Sequence, residues 1–150
     1  MTLPEQIALL RRTLHRLLAD RLSEQTSRPV MQLLTLKVVA QGGHGQAYVA
    51  ERLMVDPPAM SRLVDRLEED GLVTRQAGEN RRCVRLEITP AGLKELEVLR
   101  AVLRELEAEM GQHLSGGEMT ELKRLLEKVQ GALGPPLEPE TPCGDGSKKA

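Results

Sequence analysis

The chain is predicted to be mainly α-helical with a small β hairpin of two or three strands, and three observations predict it. Leucines recur at alternating three- and four-residue spacing near both ends of the chain, which is the period of one helix face. Hydrophobic residues make up 40% of the sequence almost without aromatics, Tyr48 standing alone, so the core must be built of Leu, Val, Met and Ala, which suit helices. Only between residues 72 and 88 do apolar and polar residues alternate in the manner of a strand.

Taken in order, Thr2 and Glu5 form a capping-box pair with Pro4 in the first turn, predicting a helix to about Ser23. Ile7, Leu10, Leu14 and Leu17 make its stripe, and Leu3, Leu9, Leu18 and Leu22 widen it. A terminal helix seldom needs so broad an apolar surface inside one chain, so part of it is read as a subunit contact, with ordinary core packing as the alternative. Ser27 and Pro29 introduce a second helix over residues 30–41, apolar on nearly every face and therefore the buried centre. Gly42 and Gly43 end it, and a short third helix over residues 46–54 turns Val49, Ala50 and Leu53 inward.

The fourth helix has both its signals: Asp56 as N-cap with Pro57 at the first position, and Gly71 as the stop. Met60, Leu63, Val64 and Leu67 face the core at helical spacing, leaving Pro58, Ala59, Ser61, Arg62, Asp65 and Arg66 outward. Small residues in a first turn followed by arginine suit a helix whose N-terminal end enters a DNA major groove, since small side chains permit close approach and arginine bonds guanine edges or phosphates. The third and fourth helices then form a helix-turn-helix pair. Strands over 72–76 and 82–88, joined through 77–81, follow. Thr89 and Pro90 open a long helix to about Gly111 whose Leu96, Leu99, Leu103, Leu106 and Met110 form a heptad-like seam. Ser115 and Glu118 cap a last helix with Met119, Leu122, Leu126, Val129 and Leu133 in the same rhythm.

The combination S-R-L-V-D-R-L-E-x-x-G-L-V-x-R from Ser61 to Arg75, a hairpin with Arg81 and Arg82, and L-x-I-T-x-x-G from Leu86 to Gly92 resembles the winged helix-turn-helix of the MarR (multiple antibiotic resistance regulator) family. The resemblance implies a reading helix, a wing, and a dimer in which first and last helices of two chains interlock; the periodicity by itself equally allows an intramolecular bundle. It also implies that Arg82 inserts in the minor groove. The chain departs from the family at Asn80, where an aspartate is usual, which removes a charge that would brace a neighbouring arginine. Arg82 keeps its assignment because A·T-rich minor grooves attract arginine by potential and shape.

The DNA-contact residues expected on these grounds are Pro58, Ala59, Ser61, Arg62, Asp65, Arg66, Arg75, Asn80, Arg81 and Arg82. Residues 28–89 form the DNA-binding region, 1–27 and 90–134 the dimerisation region, and 135–150, where proline and glycine displace apolar residues, a disordered tail. Net charge is only −1, so no global field draws the chain to DNA and contact depends on local placement of arginine. The near-absence of aromatics argues against single-strand binding, which uses stacking platforms.

Two cysteines, Cys83 and Cys143, make no disulfide framework or zinc pattern, so a reduced, cytoplasmic protein without metal or cofactor is expected. No apolar run reaches membrane length, and no secretion signal is present. Arg82 beside Cys83 makes a redox-sensing repressor one alternative, against the reading of Cys83 as a small strand residue. Arg11, Arg12 and His15 on the first helix are candidates for an effector, because MarR-like regulators bind small anionic or phenolic ligands in that region; a solvated face explains them equally. No phosphate loop, nucleophile–base pair or carboxylate cluster supports catalysis. The expected function is a homodimeric repressor on a pseudo-palindromic duplex, relieved by a ligand or chemical signal. Its rival is a winged-helix protein-interaction module without DNA binding.

Overall fold

The computed structural model describes residues 1–42, 44–77 and 84–134. Eight elements follow one another: α1 (Leu3–Ser23), α2 (Val30–Ala40), α3 (Gln46–Leu53), α4 (Pro57–Glu69), β1 (Val73–Ala77), β2 (Val84–Ile88), α5 (Pro90–Gly111) and α6 (Gly116–Leu133). This is the mainly helical fold with a small hairpin that the sequence predicts. Asn80, Arg81, Arg82, Cys83, Cys143 and the tail over 135–150 lie outside the described residues.

The caps form as their residue types require. The Glu5 carboxylate accepts from the Thr2 amide at 2.6 Å and from its hydroxyl at 2.8 Å, fixing the start of α1. Asp56 accepts from the Ala59 amide at 2.9 Å, and Ser115 from the Glu118 amide at 3.1 Å. Each side chain satisfies an N–H that has no partner within its helix. At the C-terminal end of α4, Gly71 adopts φ 73° and the Leu72 amide reaches back to the Leu67 carbonyl at 2.9 Å. That left-handed residue is why glycine ends the helix.

The third helix stops one residue before the sequence expectation, at Leu53. Met54 takes φ 53°, ψ 43°, and the Val55 amide bonds the Ala50 carbonyl at 2.9 Å. Met54 thus makes the turn of the helix-turn-helix without a glycine, in a conformation that costs an L-residue about 1–2 kcal/mol. The turn persists because Val55 packs against the core on its far side.

The hairpin is antiparallel, with Val73 opposite Ile88, Arg75 opposite Leu86 and Ala77 opposite Val84. The first strand lies one residue beyond the sequence expectation, since Leu72 belongs to the helix stop, and the second ends at Ile88 as expected, its expected first residues 82 and 83 lying outside the described residues. A third segment touches the sheet: Gly45 forms an isolated bridge to Arg85, and the Leu86 amide donates to the His44 carbonyl at 3.0 Å. The sheet therefore has two strands and one bridge among the described residues.

The core gathers Leu33, Leu36 and Val39 of α2 with Val49, Met60, Val64, Leu67, Val73, Leu86, Leu96 and Leu99. α2 lies at its centre, packing on α5, β2 and α3. Its one buried polar side chain, Thr35, donates to the Met31 carbonyl at 2.8 Å, which satisfies the hydroxyl inside the helix.

The broad stripe of α1 divides in two. Leu18 and Leu22 enter the core, whereas Leu3, Ile7, Leu9 and Leu10 stay exposed. No residue of α6 is buried, and Leu125, Leu126, Val129 and Leu133 are exposed. Ion pairs Arg21–Glu109 and Lys123–Glu107 tie α1 and α6 to α5. Between the three helices runs an almost wholly apolar groove of about 560 Å³, lined by Leu10, Leu14, Leu103, Met110, Leu122 and Leu126 among others.

Candidate nucleic-acid interface

The surface expected from the sequence to read DNA is the outer face of α4. Pro58, Arg62, Asp65 and Arg66 are exposed, Ala59 and Ser61 are partly covered, and Met60, Val64 and Leu67 on the opposite face are fully buried. The helix is therefore held by its apolar side and offers a first turn of small residues. Asp56 occupies its N-cap, so the strongest anion-attracting end is partly compensated from within.

The charges on α4 are sorted by their partners. The Arg75 guanidinium, carried by β1, donates to Asp65 Oδ1 at 2.6 Å, to Glu68 Oε1 at 3.0 Å and to Gln46 Oε1 of α3 at 3.3 Å. The Arg75 amide also donates to Glu68 Oε2 at 3.1 Å. Arg66 Nε lies 3.3 Å from Asp70 Oδ2, and Asp70 takes a second bond from Arg28 Nη1 at 2.8 Å. Arg28 thereby holds the Asp70 carboxyl below its ordinary range. Every acid toward the end of α4 thus faces a guanidinium, which offsets its repulsion of a phosphate. Arg62 makes no ion pair among the described residues and is the cation that α4 leaves available.

Asp65 and Arg75, both expected from sequence as DNA contacts, are found bonded to each other. Their side chains join the hairpin to the helix-turn-helix. Gln46 and Glu68 belong to the same bracing, and Arg28 to the separate one at Asp70; none was singled out from the sequence, since their partners lie up to 42 residues away. One signal was present for Arg28: a cation just before a helix N-terminus opposes the helix dipole and calls for an outside acid.

The hairpin is fixed at its root. The Thr89 amide donates to the Leu72 carbonyl at 3.0 Å, while its hydroxyl bonds the Gly71 carbonyl at 2.6 Å and accepts from the Gly92 amide at 3.1 Å. At Gly92 a Cβ would press on the Leu72 carbonyl oxygen and stand 2.7 Å from Ile88 Cγ1. Glycine is required there because α5 begins against the stop of α4. Where the α2–α3 connection pairs with β2, His44 stacks on Tyr48 with ring centroids 4.0 Å apart.

Of the effector candidates, Arg11 and His15 line the apolar groove between α1, α5 and α6, and Arg12 is not among its lining residues. Among the described residues no helix is long and apolar enough to cross a membrane, and no His, Cys, Asp and Glu group is placed to hold a metal ion.

A braced hairpin beside a helix-turn-helix, with small residues in the first turn of α4 and, after them, an arginine without an ion pair among the described residues, defines the winged helix-turn-helix class of transcription regulators. A sequence model of the MarR family matches residues 33–84. The transcriptional regulator BldR from Sulfolobus solfataricus is 30% identical, with 87% of this chain and 94% of BldR covered and a TM-score of 0.75. Wild-type MarR from E. coli in its apo form is 26% identical over 86% of this chain and 97% of its own, with a TM-score of 0.74. Rv2887, a MarR family protein of Mycobacterium tuberculosis in complex with p-aminosalicylic acid, is 25% identical over 87% and 99%, with a TM-score of 0.72. A complex of Rv2887 with DNA shares the fold at 23% identity, covering 86% of this chain and 98% of that one, with a TM-score of 0.70. The chain belongs to the MarR family, whose members are winged-helix DNA-binding transcription regulators rather than enzymes.

Proposed function

We propose that this protein is a cytoplasmic homodimeric repressor of a pseudo-palindromic operator, released by a small ligand. The observation that carries the reading is the exposed Arg62, which makes no ion pair among the described residues, on an α4 whose acids are each offset by arginine. Arg62 contacts base edges or phosphate, assisted by Pro58, Ala59, Ser61 and Arg66, while Arg82 enters the minor groove, with Asn80 and Arg81 beside it. The apolar groove of α1, α5 and α6 receives the partner's equivalent helices. Two-fold symmetry then sets half-site centres about 34 Å apart.

The effector favours the dimer state in which the two reading helices no longer fit successive grooves, since a ligand shifts an equilibrium only by its differential affinity. Arg11 and His15 at the rim of the groove suit a small anion with an apolar body, the chemistry of the aromatic acid bound to Rv2887.

Selection of duplexes from the native genome tests the proposal. A recovered palindrome bound by wild type, with the salt slope reduced by about one unit in Arg62→Ala and in Arg82→Ala, supports it. Recovery of no palindrome favours the protein-interaction module, the reading that the net charge of −1 would suit.

A further inference from the structure

Arg28 precedes Pro29, the N-cap of α2, and its side chain is only 20% exposed. Its Nη1 donates to Asp70 Oδ2 at 2.8 Å and to Gln32 Oε1 at 3.2 Å. Its Nε, buried and without a hydrogen-bond partner, lies 3.9 Å from Glu95 Oε2. Asp70 is the C-cap of α4. Glu95 lies on α5 and also accepts from Thr26 Oγ1 in the α1–α2 connection at 3.4 Å. One guanidinium therefore joins the end of the reading helix, the foot of the central helix and the helix that carries the exposed apolar groove.

Around this junction the packing is polar and open. A pocket of about 400 Å³ lies beside it, lined by Ser27, Arg28, Pro29, Gln32, Arg66 and Asp70. The buried Met60, Val64 and Leu67 hold the core side of α4 from its first turn to its last, while on the pocket side its C-terminal end faces the polar lining and Pro29. A 13-residue helix is about 20 Å long, so a tilt of about ten degrees about that end moves its first turn by about 3 Å. That displacement matches the rise per base pair, about 3.4 Å, and is enough to take a reading helix out of register.

We propose that Arg28 is a positioning residue that sets the angle of α4 against α5, and with it the separation of the two reading helices. The proposal rests on the dimeric regulator reading for its functional consequence, and on the Asp70–Arg28–Glu95 junction for its structural one. A lysine at this position keeps the charge but lacks the fork that reaches Asp70 and Glu95 together.

The test uses spin labels at Arg62→Cys and Arg100→Cys within one full-length chain, with Cys83 and Cys143 replaced by Ser and labelled chains diluted in unlabelled protein. With Arg28 intact the α4–α5 distance distribution is narrow. In Arg28→Met it broadens or shifts by about 3 Å, and in Arg28→Lys it lies between the two. An unchanged distribution in Arg28→Met, with helix content preserved, overturns the proposal. The matched functional readout compares a full palindrome with a single half-site. Arg28→Met loses about tenfold on the palindrome and less than twofold on the half-site, whereas general destabilisation weakens both alike and counts against positioning. Failure of the regulator reading is seen separately, as a wild type that binds no duplex while the labels still report the tilt.

Discussion

Arg75 reaches from the first strand of the hairpin to Asp65 on the reading helix, with Nη2 2.6 Å from Oδ1, and its other Nη donates to Glu68 at 3.0 Å. The Arg75 side chain is 25% exposed, while Asp65 and Glu68 are 55% and 43% exposed. Solvent screening therefore keeps the pairs modest in energy, and what they contribute is geometry: the hairpin cannot swing independently of α4.

Arg75→Gln is accordingly expected to weaken operator binding about tenfold while leaving the salt slope within a few tenths of wild type. Arg62→Ala should instead lower that slope by about one unit, the signature of a lost phosphate contact. Fluorescence anisotropy over a salt series distinguishes the two. A one-unit drop in Arg75→Gln would show that Arg75 also contacts the DNA directly.

Gly92→Ala should destabilise the fold by about 1–3 kcal/mol, the cost of forcing a methyl group into a filled space. The obstruction is the Leu72 carbonyl, which cannot retreat without disturbing its bond from the Thr89 amide. Urea denaturation measures the loss. Equal stability of the two proteins would mean that the close approach of α5 to the α4 stop relaxes freely.

Much of this architecture was legible because its signals are local. Asp56, Gly71, Thr89 and Ser115 mark their boundaries within a few residues, and the leucine period separates buried from outward positions on α4. Pairings between distant segments left no such trace. Asp65 and Arg75 read as two outward polar residues, and only the fold shows that ten residues of chain bring them together. The third partner of the sheet, Gly45, escaped for the same reason. The stripe on α1 carried both of its roles at once: periodicity cannot show that Leu18 and Leu22 serve the chain's own core while Ile7 and Leu10 remain exposed.

Met54→Asn or Met54→Gly should stabilise the protein. The left-handed turn penalises methionine by about 1–2 kcal/mol, asparagine tolerates it, and glycine regains it less the chain entropy it adds, leaving a net gain of roughly 0.5–1 kcal/mol. Met54 is 83% exposed, so its side chain contributes little packing to set against that gain. The change in thermal midpoint should be positive and a few degrees in size; a fall would show that the Met54 side chain makes a contribution the turn geometry does not reveal.

Leu126→Glu tests what covers the apolar groove. Leu126 lines it yet is 41% exposed in the single chain, so a carboxylate there can turn to water and the chain's own core, which contains no α6 residue, is left intact. In the dimer the same carboxylate would be taken out of water among leucines, at a cost of several kcal/mol that the cations also lining the groove, Arg11 and Lys123, offset only in part. Sedimentation equilibrium should therefore give twice the chain mass for wild type and once the chain mass for the variant, with circular dichroism unchanged. Operator affinity should fall by at least a hundredfold, because two half-sites held by one rigid dimer gain an effective concentration that separate chains do not have. A variant that remains dimeric would move the interface away from α6, and a monomeric variant that binds the palindrome as tightly as wild type would remove the dimer from the mechanism altogether.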